Sequence, residues 1–178
     1  MKTYFIEGQK VGLRPYQSED FEHIHRWVND DATTHYMFTG QTPQSLETTT
    51  LHYQAEFEEI SNVVCIVEEK ESGNVMGMAG LYAINPTARK AEFRILLGDH
   101  RGKGLGTEIT KLLVQYAFER LNLHRVYLGV TSANKGAIRA YEKAGFVSEG
   151  ILRDDIYRNG EYYDTLRYGI IKGGTDAI

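Results

Sequence analysis

The chain has 178 residues, of which 42% are hydrophobic, and a formal net charge of −4. This length supports one hydrophobic core, so we expect a single domain over residues 1–178. The negative charge argues against nucleic acid or an anionic membrane as a partner, because both favour a surplus of Lys and Arg. No stretch approaches the roughly 20 apolar residues of a membrane span. The lone Cys65 cannot form an internal disulfide and the first residues contain no apolar signal segment, so a cytoplasmic protein is expected.

The first third of the chain predicts one strand and two helices. A short strand covers residues 10–16, and an amphipathic helix follows over residues 18–30, where apolar side chains recur at helical spacing. The segment DATTHYMFTGQ is predicted as a loop. Pro43 is expected at the first position of a second helix, which runs to about Ile60.

Strands dominate the rest of the chain. Two apolar runs separated by KESGN predict an antiparallel hairpin with Gly73 and Asn74 in its turn. A third helix is expected to run through Leu121, and Asn134 is expected to cap a fourth. The remaining strands are predicted over residues 90–98, 124–131, 146–152 and 162–171.

The stretch HRGKGLG, residues 100–106, lies between a predicted strand and a predicted helix. Such a unit makes its two strands parallel, and glycines at the turn let backbone N–H groups converge beside the positive end of the helix dipole. This arrangement predicts an anion site for a phosphate or pyrophosphate, strengthened by Arg101 and Lys103. The Walker and dinucleotide patterns do not match here, which disfavours a nucleotide-binding module. A glycine-rich turn with solvated cations is the alternative.

Two motifs identify a family. The run from Arg101 to Gly106 resembles the R/Q-x-x-G-x-G/A acetyl-CoA signature of the GNAT superfamily of N-acetyltransferases, and NKGAIRAYEKAGF resembles that family's second CoA motif. The order of elements matches over nearly the whole chain. Both ends of the chain look like the group that contains ribosomal-protein N-terminal, polyamine and amino-sugar acetyltransferases. The resemblance implies a three-layer αβα fold of the α+β class, with a mixed, mostly antiparallel sheet of about seven strands, two splayed parallel strands and about four helices.

The resemblance also implies that acetyl-CoA is the cosubstrate. Backbone amides of the glycine loop would hold its pyrophosphate, and the pantetheine arm would pair with the strand that contains Leu96. Asn134 would contact the pantetheine or serve only as a helix cap, which is an equally good interpretation because Asn is a favoured cap. The expected donor-site residues are Leu96, Arg101, Gly102, Lys103, Gly104, Leu105, Gly106, Thr107 and Asn134.

Acetyl transfer requires a neutral amine and a protonated leaving group. An amine with a pKa near 10.4 is neutral in only about one molecule in 2,500 at pH 7, so a general base is useful. Glu92 occupies the position where family members place such a carboxylate, although it could simply pair with Arg94 on the same strand face. Tyr141 is expected to protonate the thiolate, with a core aromatic as the alternative. Cys65 lies in an apolar strand without an activating neighbour, so we expect direct attack in a ternary complex.

The acceptor pocket is less well defined by the sequence. The expected acceptor residues are Trp27, Asn29, Tyr36, Phe38, Tyr157 and Asp164. An acidic cluster between Asp30 and Glu59 would attract a cationic acceptor or form a solvated helix face, whereas a nucleotide-linked sugar would require cations. The expected partners are a small-molecule amine or a peptide N-terminus, with a homodimer as a further expectation. No metal is predicted, because the histidines lack ligand spacing. The alternative function is a non-catalytic acyl-CoA-binding sensor.

Overall fold

The computed structural model describes residues 3–98 and 104–174. The predicted loop residues Arg101, Gly102 and Lys103 therefore lie outside the described residues. The elements in chain order are β1 (Ile6–Glu7), β2 (Val11–Arg14), α1 (Asp20–Val28), α2 (Asp31–Thr34), α3 (Leu46–Glu58), β3 (Val63–Glu69), β4 (Val75–Asn85), β5 (Lys90–Leu97), α4 (Leu105–Glu119), β6 (Arg125–Thr131), α5 (Lys135–Lys143), β7 (Val147–Arg158) and β8 (Glu161–Ile171).

The described strands form one sheet in the order β1-β2-β3-β4-β5-β6-β8-β7. The neighbours β5 and β6 are parallel, and the other pairs are antiparallel. The sheet thus has eight strands where about seven were expected. The additional strand is β1, whose two residues are too few to show an alternating pattern in the sequence.

The two parallel strands separate along their length, as the resemblance implied. β5 pairs with β6 only from Lys90 to Glu92, opposite Arg125 to Tyr127. β5 nevertheless continues to Leu97 and β6 to Thr131. The separation leaves a gap in the middle of the sheet, at the carboxyl ends of both strands.

Helices cover both faces of the sheet, which confirms the three-layer αβα arrangement. On one face, α4 and α5 pack over a core that includes Leu113 and Tyr141. On the other face, α1 and α3 pack over a smaller core that includes Ile24 and Tyr53. The strands supply both cores by alternation; on β3, for example, Cys65 belongs to the first core and Ile66 to the second.

Two helices between residues 30 and 60 differ from expectation. The segment predicted as loop contains the single-turn helix α2, where the Asp30 carboxylate accepts from the N–H of Thr33. The next helix begins at Leu46 and not at Pro43, because Ser45 is the residue whose hydroxyl caps it by accepting from the N–H of Thr48. There are thus five helices among the described residues, where about four were expected.

Two elements of the second half of the chain also differ from prediction at their ends. α4 begins at Leu105, so Gly106 and Thr107 lie in its first turn, and it ends at Glu119 where Leu121 was expected. β7 continues past Leu152, where it was expected to end, to Arg158. Its register against β8 shifts between Leu152 and Ile156, and this irregularity interrupts the sequence alternation that would have revealed the longer strand.

Candidate active site

Two cavities open at the gap between β5 and β6. The first, which we call the α4–α5 cleft, has a volume of about 450 Å³ and lies between the end of β5 and the two helices. The second, the α3–β5 cavity, has a volume of about 510 Å³ and lies between α3, the loop after α2 and the sheet. Both cavities are lined by Tyr36, Met37, Ile95, Leu96, Asn134 and Tyr141. A molecule in the cleft could therefore meet a molecule in the cavity at these shared residues.

The described part of the glycine loop lines the α4–α5 cleft. Gly104, at the N-cap of α4, has φ +77°, a conformation that strains any other L-residue. A Cβ on Gly106 would lie 3.9 Å from Cδ1 of Leu97, so the wall of the cleft is nearly bare at this position. The N–H groups in the first turn of a helix lack intrahelical acceptors, so this bare wall presents donors and a positive dipole to an anion.

The other donor-site candidates divide between cleft and core. Thr107 and Leu96 line the cleft. The side chain of Leu105 is buried in the core, so only its backbone remains available to a ligand. Asn134 lines both cavities, and its side-chain oxygen accepts from the N–H of Ala137 at 3.1 Å. The capping role of Asn134 is confirmed, and contact with pantetheine stays a prediction.

Tyr141 stands where the two cavities meet. Its ring is buried and makes edge contacts with Phe93, at 6.0 Å between centroids, and tilted contacts with Phe146, at 6.1 Å. Burial raises the pKa of Tyr141, so the phenol stays protonated throughout the neutral range. Among the described residues, its hydroxyl has no hydrogen-bond partner. The hydroxyl is therefore available to donate to a ligand.

Glu92 lines the α3–β5 cavity and interacts with Arg94. Oε2 of Glu92 accepts from Nη2 of Arg94 at 2.8 Å and from Nε at 3.2 Å. The Glu92 side chain is 22% exposed, which leaves it accessible from the cavity. The structure thus shows the ion pair that was the alternative to a catalytic role, but this pair leaves the second carboxylate oxygen of Glu92 free of Arg94.

The acceptor candidates are only partly brought together. Tyr36 and Phe38 line the α3–β5 cavity, and Phe38 is largely exposed. Trp27 of α1 is buried in the smaller core and lines neither cavity.

The other three acceptor candidates also lie outside both cavities. Asn29 connects the end of α1 to Gln44, from whose N–H its Oδ1 accepts at 2.9 Å. Tyr157 packs against Tyr162 on the β7–β8 hairpin. The carboxylate of Asp164 accepts from the N–H of Asp154 in the irregular part of β7. The described contacts of these residues thus lie outside both cavities, and an acceptor-binding role for them stays a prediction.

The structure adds cavity residues that the sequence did not single out. Tyr53 and Glu56 lie three positions apart on α3 and so share a face, while Tyr82 comes from β4. Asp155 and Arg167 approach from the β7–β8 hairpin. Glu56 was noted only as part of an acidic cluster; its spacing from Tyr53 was the available signal, whereas the hairpin residues gave none.

Electrostatics in the α3–β5 cavity are mixed. Burial is the main cause that raises the pKa of Tyr53, to about 12, and the charge of Glu56 adds to it. The same two causes, in the same order, raise the pKa of Tyr82. Arg94 lies over the ring of Tyr82, with Cζ 4.6 Å from the ring centroid. The cavity therefore combines carboxylates, neutral phenols and guanidinium groups.

A nucleophilic cysteine and a metal site find less support among the described residues. Burial raises the pKa of the Cys65 thiol to about 12, so this thiol is a poor nucleophile. Within residues 3–98 and 104–174, no three His, Cys, Asp or Glu side chains stand close enough to hold a metal ion. Over the same residues, no helix is both long and apolar enough to cross a bilayer.

Comparison with known proteins gives the family. Residues 10–147 match the family described as "Acetyltransferase (GNAT) domain". Spermidine N(1)-acetyltransferase of Escherichia coli (strain K12) is 34% identical over 166 residues, which cover 93% of this chain and 88% of the relative. The Vibrio cholerae enzyme of the same name is 32% identical, with 93% and 95% of the two chains covered.

The fold comparison agrees. The crystal structure of spermidine N-acetyltransferase from Vibrio cholerae, in complex with CoA and spermine, superposes with a TM-score of 0.84 at 31% identity, and covers 93% of this chain and 98% of the other. The expected α+β fold and the expected enzyme class are confirmed. The chain belongs to the GNAT family of acetyl-CoA-dependent N-acetyltransferases.

Proposed function

We propose that this protein transfers the acetyl group of acetyl-CoA to a primary amine of a polyamine by direct attack in a ternary complex. The observation that carries the proposal is the junction of two cavities at Tyr141, in the gap between β5 and β6. A donor and an acceptor that enter from opposite faces can meet there. The similarity to a solved spermidine acetyltransferase with CoA and spermine bound supports this choice of donor and acceptor.

The donor is proposed to occupy the α4–α5 cleft. The first turn of α4, from Gly104 to Thr107, supplies backbone donors for the pyrophosphate. β5 is not paired with β6 beyond Glu92, so the pantetheine arm can lie beside Ile95 and Leu96. In the proposed arrangement the thioester lies near Tyr141.

The transfer step forms a C–N bond and breaks a C–S bond. Glu92 takes a proton from the attacking ammonium, directly or through water, and the neutral amine attacks the thioester carbon. As the C–S bond breaks, Tyr141 donates its phenolic proton to the sulfur, and the second proton that the nitrogen loses returns to the phenolate, directly or through water. Because burial raises the pKa of Tyr141, the proton moves only when charge has accumulated on the sulfur, and the phenol donates a hydrogen bond until then.

The α3–β5 cavity suits a cationic, flexible acceptor. Its carboxylates are Glu56, Glu92 and Asp155, and its phenol rings include Tyr53 and Tyr82. Carboxylates and aromatic faces both attract ammonium groups. A peptide N-terminus is a second candidate, favoured by Arg167, which could contact a peptide carbonyl or carboxylate in the same cavity.

The test is thiol release from acetyl-CoA with a panel of polyamines, amino sugars and peptides with free N-termini, followed by mass spectrometry of the products. We expect the highest kcat/KM with a polyamine. A preference for peptides would select the second candidate. Binding of acetyl-CoA without turnover of any amine would identify a sensor and contradict the proposal.

We also propose a homodimer that works in the cytoplasm. β7 lies at the edge of the sheet and exposes Val147, Ile151 and Leu152, and an apolar edge strand favours pairing with another chain. Light scattering after gel filtration, with Ile151→Lys as the interface variant, measures the oligomeric state; a wild-type monomer would contradict the dimer.

The cytoplasmic location is supported by Cys65, because a free, buried cysteine suits a reducing compartment.

A further inference from the structure

Arg94 places a positive charge inside the cavity proposed to bind a polyamine. Its guanidinium donates to Glu92 from Nη2 at 2.8 Å and from Nε at 3.2 Å. The same guanidinium lies over the ring of Tyr82, with 4.6 Å from Cζ to the ring centroid. All three residues line the α3–β5 cavity. The cavity thus contains a cation held by a carboxylate and an aromatic face.

A carboxylate beside an aromatic face is also what binds an ammonium group. Glu56, on α3, adds a second carboxylate whose charge acts on both Arg94 and Tyr82. The guanidinium therefore occupies a site that would otherwise attract one ammonium group of the acceptor. The Arg94 side chain is 53% exposed, so it can leave this site for solvent without a large rearrangement.

We infer that Arg94 determines acceptor specificity by limiting the number of ammonium groups that the cavity binds. The inference rests on the proposed function. An acceptor with a single amine needs only the position at Glu92 where the amine reacts. An acceptor with a second ammonium must also displace the guanidinium from the Tyr82 ring or lie beside it, and a like charge at this distance is unfavourable.

The other charges of the cavity do not cancel this effect. Asp155 and Arg167 line the cavity from the β7–β8 hairpin with opposite signs, and no ion pair joins either to Arg94 among the described residues. His52, one turn before Glu56 on α3, also lines the cavity, and its Nε2 lies 3.5 Å from Oε1 of Glu56. Neutralising Arg94 therefore removes the ion-pair partner of Glu92 and makes the charge beside the Tyr82 ring more negative.

The experiment compares two acceptors of equal length, a four-carbon monoamine and the four-carbon α,ω-diamine. The measured quantity is the ratio of kcat/KM for the diamine to that for the monoamine. Any effect of the substitution on Glu92 as a base acts on both acceptors and cancels in this ratio. We expect Arg94→Gln to raise the ratio about three- to tenfold, the effect of removing one like charge near a surface.

Two control variants separate local from general effects. Arg94→Lys keeps a cation at the position and should keep the wild-type ratio. Lys90→Gln removes the same charge from the same strand, but Lys90 lies outside the cavity, over the ring of Tyr127. An unchanged ratio in Arg94→Gln, or an equal rise in Lys90→Gln, would overturn the inference.

Calorimetry of the same two amines with the CoA-loaded protein gives an independent reading. We expect the affinity ratio of diamine to monoamine to rise in Arg94→Gln as the kcat/KM ratio does. Wild type that turns over no amine would refute the proposed function, and the affinity ratio would still decide the role of Arg94. Equal affinity ratios in wild type and Arg94→Gln would refute the inference alone.

Discussion

Replacing Tyr141 by Phe removes one hydroxyl at the junction of the two cavities and tests the proposed acid. The ring contacts with Phe93 and Phe146 stay, and the hydroxyl has no hydrogen-bond partner among the described residues, so no intramolecular hydrogen bond is lost. We therefore expect the free energy of unfolding to change by less than about 1 kcal/mol. The kcat should fall about 10²-fold, which corresponds to about 2.7 kcal/mol of activation free energy.

The assay measures thiol release at saturating acetyl-CoA and acceptor, with thermal unfolding and calorimetric CoA affinity as controls. Both controls should match wild type, because the cleft and the core are unchanged. Burial raises the pKa of Tyr141, so its acid form persists as the pH rises, and ionisation of this phenol should not reduce wild-type kcat between about pH 7 and 9.5. A kcat equal to that of wild type, with chemistry shown to be rate-limiting, would refute the assignment and leave Tyr141 as a core aromatic.

Three further predictions test the base, the phosphate site and the end of β5. Glu92→Gln should lower kcat/KM most at neutral pH and recover as pH rises toward the amine pKa near 10, because solvent then supplies neutral amine; pH profiles that run parallel to wild type would contradict a base. Gly106→Asp should abolish acetyl-CoA binding in calorimetry, whereas Gly106→Ala, whose Cβ would have its nearest neighbour at 3.9 Å, should fold normally and bind more weakly; wild-type affinity in the Asp variant would exclude a phosphate at this position. Gly98→Ala should destabilise the protein by about 1–3 kcal/mol in denaturant unfolding, because its Cβ would lie 2.0 Å from Nε1 of the buried Trp27; an unchanged midpoint would show that the indole can move.

The elements that the sequence predicted best are those with a strong local signal. Asn134 precedes an amphipathic run, and the structure shows its side-chain Oδ1 capping α5 by accepting from the N–H of Ala137. Gly73 and Asn74 separate two apolar runs, and the structure shows an antiparallel hairpin there, with Gly73 at φ +72°. Such features depend on neighbouring residues alone, because capping and turn geometry are satisfied within a few positions of the chain.

The short or irregular elements were missed because their signals are not local. β1 has two residues and is held by its pairing with β2, in which Ile6 lies opposite Leu13. The far half of β7 follows a shift of register that interrupts the alternation of side chains. In both cases the partner strand, and not the residue pattern, makes the element.

The sequence by itself determined the family, the position of the glycine loop and the candidates Tyr141 and Glu92, because these depend on motifs within short segments. Only the tertiary structure decided which side chains share a cavity. Trp27 and Tyr53 are both buried aromatic residues of the same core, yet only Tyr53 also borders the α3–β5 cavity. The contact of Arg94 with Tyr82 likewise depends on how β4 and β5 lie side by side. Residues from distant parts of the chain become neighbours through the packing of the sheet and helices, and no pattern along the chain records those distances.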